Sequence, residues 1–235
     1  MSKRDDNKLM LAEQVMEVRY LPSGSFLDVR GYVADYIRDS GFLPHWKIEA
    51  NTVQFRDQPD KVLKEGAFAG YRNAGYLSYD PPTRNFFMDR GLLFWRTLEK
   101  NKHYPIPSIE RFGARTKVFL PSLHTFDQLN QSVFATIYTD KARDVFGVKE
   151  TDVQFIVEGK EEDFEVRLFG GPIHKDEVNQ HLPFESEEFA KPGLFLDIDF
   201  YRTTSLKSED IPRLLRSVID LTWKKVESLA EVIGV

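Results

Sequence analysis

The amino-acid sequence predicts an α+β fold: two pseudo-repeated β-α-β-β-β halves with mainly antiparallel sheet, closed by a long C-terminal helix. Three observations carry this expectation. The stretches "YLPSGSF" (residues 20–26) and "FLPSLHTF" (residues 119–126) repeat an aromatic-Leu-Pro-Ser signature. Each lies between a segment of period-2 alternation and one of helical spacing, with strand-like segments following. The chain then ends in a segment of helical period from Ser208 onward.

Taken in order, residues 1–9 read as a solvated tail, with charges but no apolar stretch of signal-peptide length. Residues 14–21 set Met16, Val18 and Tyr20 against Glu17 and Arg19, the alternation of a half-buried strand. Pro22 ends it. Ser25, three residues before Asp28, forms an approximate capping box, and Phe26, Val29, Val33 and Ile37 make a helical stripe that Gly41 closes. Strand-like segments follow over 45–56, 66–80 and 84–98, the last two read as a hairpin around Pro81 and Pro82. These complete the first half, residues 10–105.

The second half, 106–235, opens on a strand over 114–120, with Thr116, Val118 and Leu120 facing away from Arg115, Lys117 and Phe119. It also ends at a proline, Pro121. Thr125 and Gln128 spell a capping box ahead of the stripe Phe126, Leu129, Val133 and Ile137. Strands are expected over 152–159, 163–170 and 193–202. For the terminal helix, Ser208 is the expected N-cap, Glu209 and Asp210 suit the positive end of the macrodipole, and Pro212 is tolerated in the first turn. Ile211, Leu215, Val218, Thr222, Leu229 and Ile233 form its stripe. Lys225 in that seam argues against a coiled coil; the helix is expected to pack on the chain's own sheet, with a dimer contact as the alternative.

Composition narrows the function classes. A hydrophobic share of 41%, a charged share of 29% and a net charge of −5 are ordinary for a globular protein and supply no cationic surplus for phosphate neutralisation, so nucleic acid is disfavoured as a partner. The absence of cysteine excludes disulfides, thiolate catalysis and Cys-ligated zinc. Nowhere do 18 apolar residues run together, so the expectation is a cytoplasmic protein with no membrane partner.

Two stretches invite a chemical reading. Asp197 and Asp199 lie on one face of a strand, and carboxylates spaced i, i+2 can share a divalent cation. The same pair also reads as a solvated sheet face. Glu17/Arg19, Arg115/Lys117 and Asp197/Asp199 are then the polar faces of strands whose opposite charges pair if the strands are neighbours. Within residues 70–96, aromatic and arginine residues interleave, the composition of binding hot spots. Tyr71, Arg72, Tyr76, Tyr79, Phe87, Arg90 and Trp95 are the candidate binding residues; the bland alternative is a hairpin whose aromatics point inward. His174 and His181 match no zinc or iron spacing, and no phosphate loop or nucleophile elbow occurs.

The segment "IERFGARTKVFLPS" (residues 109–122), with "EQVMEVRY" before it and "LFLDIDFYR" after it, resembles a sporadically distributed family of uncharacterised bacterial proteins. Their mid-chain strand reads Arg-Ile-Gly-Leu-Arg-Tyr. Arg111, Phe112, Gly113, Ala114 and Arg115 stand at the matching positions, with Ala114 and Thr116 where the family has larger residues, and the family has a longer helix before this strand. The resemblance implies a duplicated α+β chain of unassigned activity. Separately, because the chain is aromatic-rich yet shows no convergent set of nucleophile, base and oxyanion groups, the functional expectation is a non-enzymatic interaction or assembly protein without cofactor, binding a protein partner through its aromatic and arginine-rich surface and forming a homodimer through residues 71–95. The alternative is a small-ligand or nucleotide enzyme with an acidic cation site.

Overall fold

The computed structural model describes residues 11–147, 152–204 and 206–235. The tail expected over 1–9 lies outside the described residues. Strand β1 (Ala12–Tyr20) realises the period-2 pattern: Ala12, Gln14, Met16, Val18 and Tyr20 are buried, and Glu13, Val15, Glu17 and Arg19 face the other way. Helix α1 (Phe26–Asp39) buries Phe26, Val33 and Ile37 and stops before Gly41, whose φ of +74° suits a residue without Cβ. Ser25 does not cap it. Its backbone is already helical, and its hydroxyl meets that of Ser23 instead.

The first two strand-like segments of the first half are hairpins in themselves. Residues 45–56 hold β2 (His45–Ile48) and β3 (Thr52–Arg56), and residues 66–80 fall in β4 (Glu65–Gly70) and β5 (Asn73–Tyr79). Residues 84–98, expected as a strand, instead form helix α2 (Phe86–Glu99). Phe87, Gly91, Phe94, Trp95 and Leu98 are buried there, a spacing of four, three, one and three that only a helix brings to one face. The aromatic content of the segment suggested a sheet, and its period overrules that. The first half is thus β-α-β-β-β-β-α.

Beyond α2, β6 (Ile109–Pro121) leads to α3 (Phe126–Ile137), where both arms of the Thr125–Gln128 capping box form. A short α4 (Asp140–Phe146), strands β7 (Phe155–Glu161) and β8 (Phe164–Ile173), the single turn α5 (Val178–His181) and β9 (Gly193–Arg202) follow. Ser208 is not the cap of the last helix. It opens a 3-10 turn and gives its hydroxyl to Glu99, while α6 (Ile211–Ile233) starts three residues on with Pro212 in its first turn. The stripe of α6 is as expected: Ile211, Leu215, Val218, Thr222 and Ile233 are buried and Leu229 partly so. Lys225 reaches out of that seam to Glu161.

Among the described residues, nine strands form one sheet in the order β2-β3-β4-β5-β1-β6-β9-β8-β7, and each pairing is antiparallel. Strands β1 and β6 lie at its centre. Helices α1, α2, α3 and α6 pack on one face, where Phe26, Tyr76, Phe87, Trp95, Phe112 and Phe200 are wholly buried. The Tyr20 and Tyr104 hydroxyls both reach the Gly70 carbonyl there, and burial pushes the Tyr104 phenol up to about 12. Among the described residues, no helix is long and apolar enough to cross a membrane.

Candidate interaction face

Among the described residues, no long helix lies on the second face of the sheet. At one end, residues 174–192 fold over it and enclose a small cluster of Phe119, Phe195, Val178, Leu182 and Phe189. The rest is open, and strand register orders its side chains into rows that cross the sheet. One row runs Tyr79, Glu13, Lys117, Asp197, Phe169, Ile156. The next runs Leu77, Val15, Arg115, Asp199, Arg167, Glu158, and the third runs Gly75, Glu17, Gly113, Tyr201, Glu165, Lys160. Neighbouring strands therefore place opposite charges side by side, as the sequence led us to expect.

The ion pairs follow the rows and their diagonals. Lys117 Nζ lies 3.0 Å from Glu13 Oε2. Arg115 donates through Nε, at 2.7 Å, and Nη2 to the two carboxylate oxygens of Asp197, a bidentate charge-assisted pair. Asp197 is 8% exposed, so this pair meets the need of a nearly buried carboxylate. Hydrogen bonding to Asp197 holds the Arg115 guanidinium above its ordinary pKa. Asp199 differs: burial raises its pKa, an effect that the nearby Arg111 and Arg115 oppose.

At the centre, glycine makes room for side chains to lie flat. A Cβ on Gly113 would stand 3.2 Å from the Arg111 guanidinium, which crosses that position. From there Arg111 reaches Glu17 on β1 and Asp199 on β9, each at 3.6 Å, with its cation 4.8 Å from the Tyr201 ring centre. Two positions along the same row, the Phe68 ring covers Gly75. Arg111, Gly113 and Arg115 thus form one face of β6. This arrangement escaped the sequence reading, although the i, i+2, i+4 spacing of those residues within a strand was the signal for it.

The seven candidate residues of the aromatic and arginine-rich stretch do not come together as one surface. Tyr76, Phe87 and Trp95 are 0% exposed and belong to the core beneath the helices. Arg90 is bidentate to Glu65, at 2.7 and 2.8 Å, donates to the Phe42 carbonyl and lies over the Phe42 ring. Tyr76 donates to the same Glu65 at 2.8 Å. Tyr71 and Arg72 form the β4–β5 turn, half-buried and exposed respectively, and Tyr79 alone stands on the open face. The aromatics point inward because α2 and β5 pack on each other.

Asp197 and Asp199 do share a face, but their partners are cationic. Both oxygens of Asp197 accept from Arg115, which leaves the pair as the anionic half of an ion-pair network rather than as two free cation ligands. Among the described residues no group of three or more potential metal-ligating side chains assembles.

Fold and face together define an α+β protein with one helix-covered and one open, charge-laddered sheet face. No family model matches the chain, and no curated protein matches it in sequence.

Proposed function

We propose that this chain is a non-enzymatic interaction protein that docks a protein partner on the open face of its sheet. The observation that carries the reading is a set of half-exposed arginines, Arg19, Arg115 and Arg167, with side chains 50%, 48% and 48% exposed, each already held by a carboxylate. They stand among the half-buried rings of Phe68, Tyr79, Phe169 and Tyr201. Arginine and aromatic side chains dominate binding hot spots, and side chains already held in place lose less entropy on binding. The matching partner presents carboxylates to the arginines and flat apolar groups to the rings between them. The mirrored strand order, with the last strand of each half beside the first and the remaining strands stepping outward, supports an internal duplication as the origin of this face.

The test is affinity capture with the whole chain from cells that make it, followed by calorimetry with the purified partner. An Arg19→Glu, Arg167→Glu variant should bind that partner at least ~100-fold more weakly, the scale of reversed charges at a desolvated hot spot. A partner that binds wild type and variant equally well contradicts the reading, as does failure to retain any protein.

A further inference from the structure

Strand β7 ends the sheet, and most of it is exposed, including Ile156 at 58% on one face and Val157 at 57% on the other. Long edges of this kind are templates for further strand pairing. The β7–β8 connection is the two-residue turn Glu162-Asp163, which makes Glu161 and Phe164 the closing hydrogen-bonded pair. Hydrogen bonding alternates along an antiparallel ladder, so the backbone N–H and C=O groups of residues 156, 158 and 160 point outward.

We propose that a second copy of this chain pairs with β7 antiparallel about a twofold axis at Gly159, joining two sheets into one. The charges select that register. Centred on Gly159, the pairing sets Glu158 opposite Lys160 of the second copy, and Lys160 opposite its Glu158. Centring on Glu158 sets that residue against its own copy, and centring on Lys160 does the same for the lysine. Centring on Val157 leaves Glu158 opposite Ile156. Directly opposed like charges are destabilising, and opposed unlike charges stabilise a ladder.

Two further features fit the Gly159 register. Within one chain Glu158 already pairs with Arg167 at 3.0 Å and Lys160 with Glu165 at 2.9 Å. Across the junction the row then reads Asp199, Arg167, Glu158, followed by Lys160 and Glu165 of the second copy, with alternating sign throughout. Nothing lies within 4 Å of where a Gly159 Cβ would stand, so the axis is open and Val157 of each copy can lie over Gly159 of the other. The opposite edge is a poorer template, because β2 has only four residues and follows Pro44. Of the arginines of the open face, Arg167 on β8 pairs with Glu158 while Arg19 and Arg115 lie strands away from β7; the dimer is read on the purified chain alone, so its failure is distinguishable from failure of the partner proposed above.

Light scattering on the eluting full-length chain at on the order of 50 µM tests the proposal. Wild type should be a dimer. Glu158→Lys and Lys160→Glu should each dissociate ~10-fold more readily, because each places like charges opposite one another twice. An equimolar mixture of the two variants should recover the dimer, since one copy then carries two lysines and the other two glutamates. Circular dichroism checks each fold; if reversal unfolds the chain, Glu158→Gln and Lys160→Gln should each weaken the dimer, and mixing them should recover part of it, because the mixed dimer regains one of the two Glu158–Lys160 pairs. The readout is dissociation on serial dilution: a monomeric wild type overturns the proposal, as do folded single variants that dissociate no more readily than wild type or a folded mixture that dissociates as readily as the single variants.

Discussion

Gly113 and Gly75 occupy the same row of the open face, yet substitution should affect them differently. The Cβ of Gly113→Ala meets the far end of the flexible Arg111 side chain, whereas that of Gly75→Ala overlaps the Met16 carbonyl and the Phe68 ring. Urea unfolding should show a loss below ~1 kcal/mol for Gly113→Ala and of about 1–3 kcal/mol for Gly75→Ala. Arg115→Ala strips the nearly buried Asp197 of its bidentate partner and should cost about 1 kcal/mol, the exposed half of the arginine limiting the loss. Asp199 has the opposite character. Burial raises its folded pKa, so the native state holds the proton more tightly and the Asp199 contribution to stability falls as pH rises through that range. The stability of Asp199→Asn relative to wild type should therefore increase as pH rises from the ordinary carboxylate value of about 3.9. A flat difference across that range contradicts the assignment. Alternation placed Arg115 and the acidic residues of β9 on polar strand faces, and their pairing was legible only on the condition that the two strands are neighbours, as they are. Arg111 lying across Gly113 was not, because a pattern of facing residues does not say which side chains lie flat.

Capping divides the helices of the two halves. Thr125 and Gln128 exchange hydrogen bonds at the start of α3, while Ser25 gives α1 no side-chain cap. Thr125→Ala should lower stability by ~1 kcal/mol and Ser25→Ala by only a few tenths, both measured by chemical denaturation. Equal losses would show that the two turns, despite their shared Leu-Pro-Ser sequence, cap alike. The β1, β6 and β9 strands and the stripes of α1, α3 and α6 were legible because each keeps one period over several repeats. Helix α2 was not: its aromatics favour a strand by type, and only the burial of Phe87, Gly91, Phe94, Trp95 and Leu98 together reveals the helical face. Composition, separately, pointed to a binding surface of Tyr76, Phe87 and Trp95, which in the fold are the packing between α2 and the sheet.

For the whole molecule, the decisive asymmetry is that the long helices cover one face of the sheet and leave the central rows of the other to solvent. Antiparallel sheets commonly have such a wet face, and it accounts for the alternation of apolar and charged residues in β1 and β6. The α+β class, the antiparallel sheet and the terminal helix could be read from the sequence. Strand order could not, because it depends on which strands meet across β1 and β6, and no local pattern encodes that meeting. The claim that this open face receives a protein partner is tested most directly by photo-crosslinking in cells that make the chain. A benzophenone side chain would replace Arg19 or Arg167 on the open face, or Lys224 on the exposed side of α6. The account predicts that both open-face positions crosslink to the same protein, distinct from this chain, and that position 224 does not. Crosslinks to that protein from position 224 alone, or equally from all three positions, would contradict it.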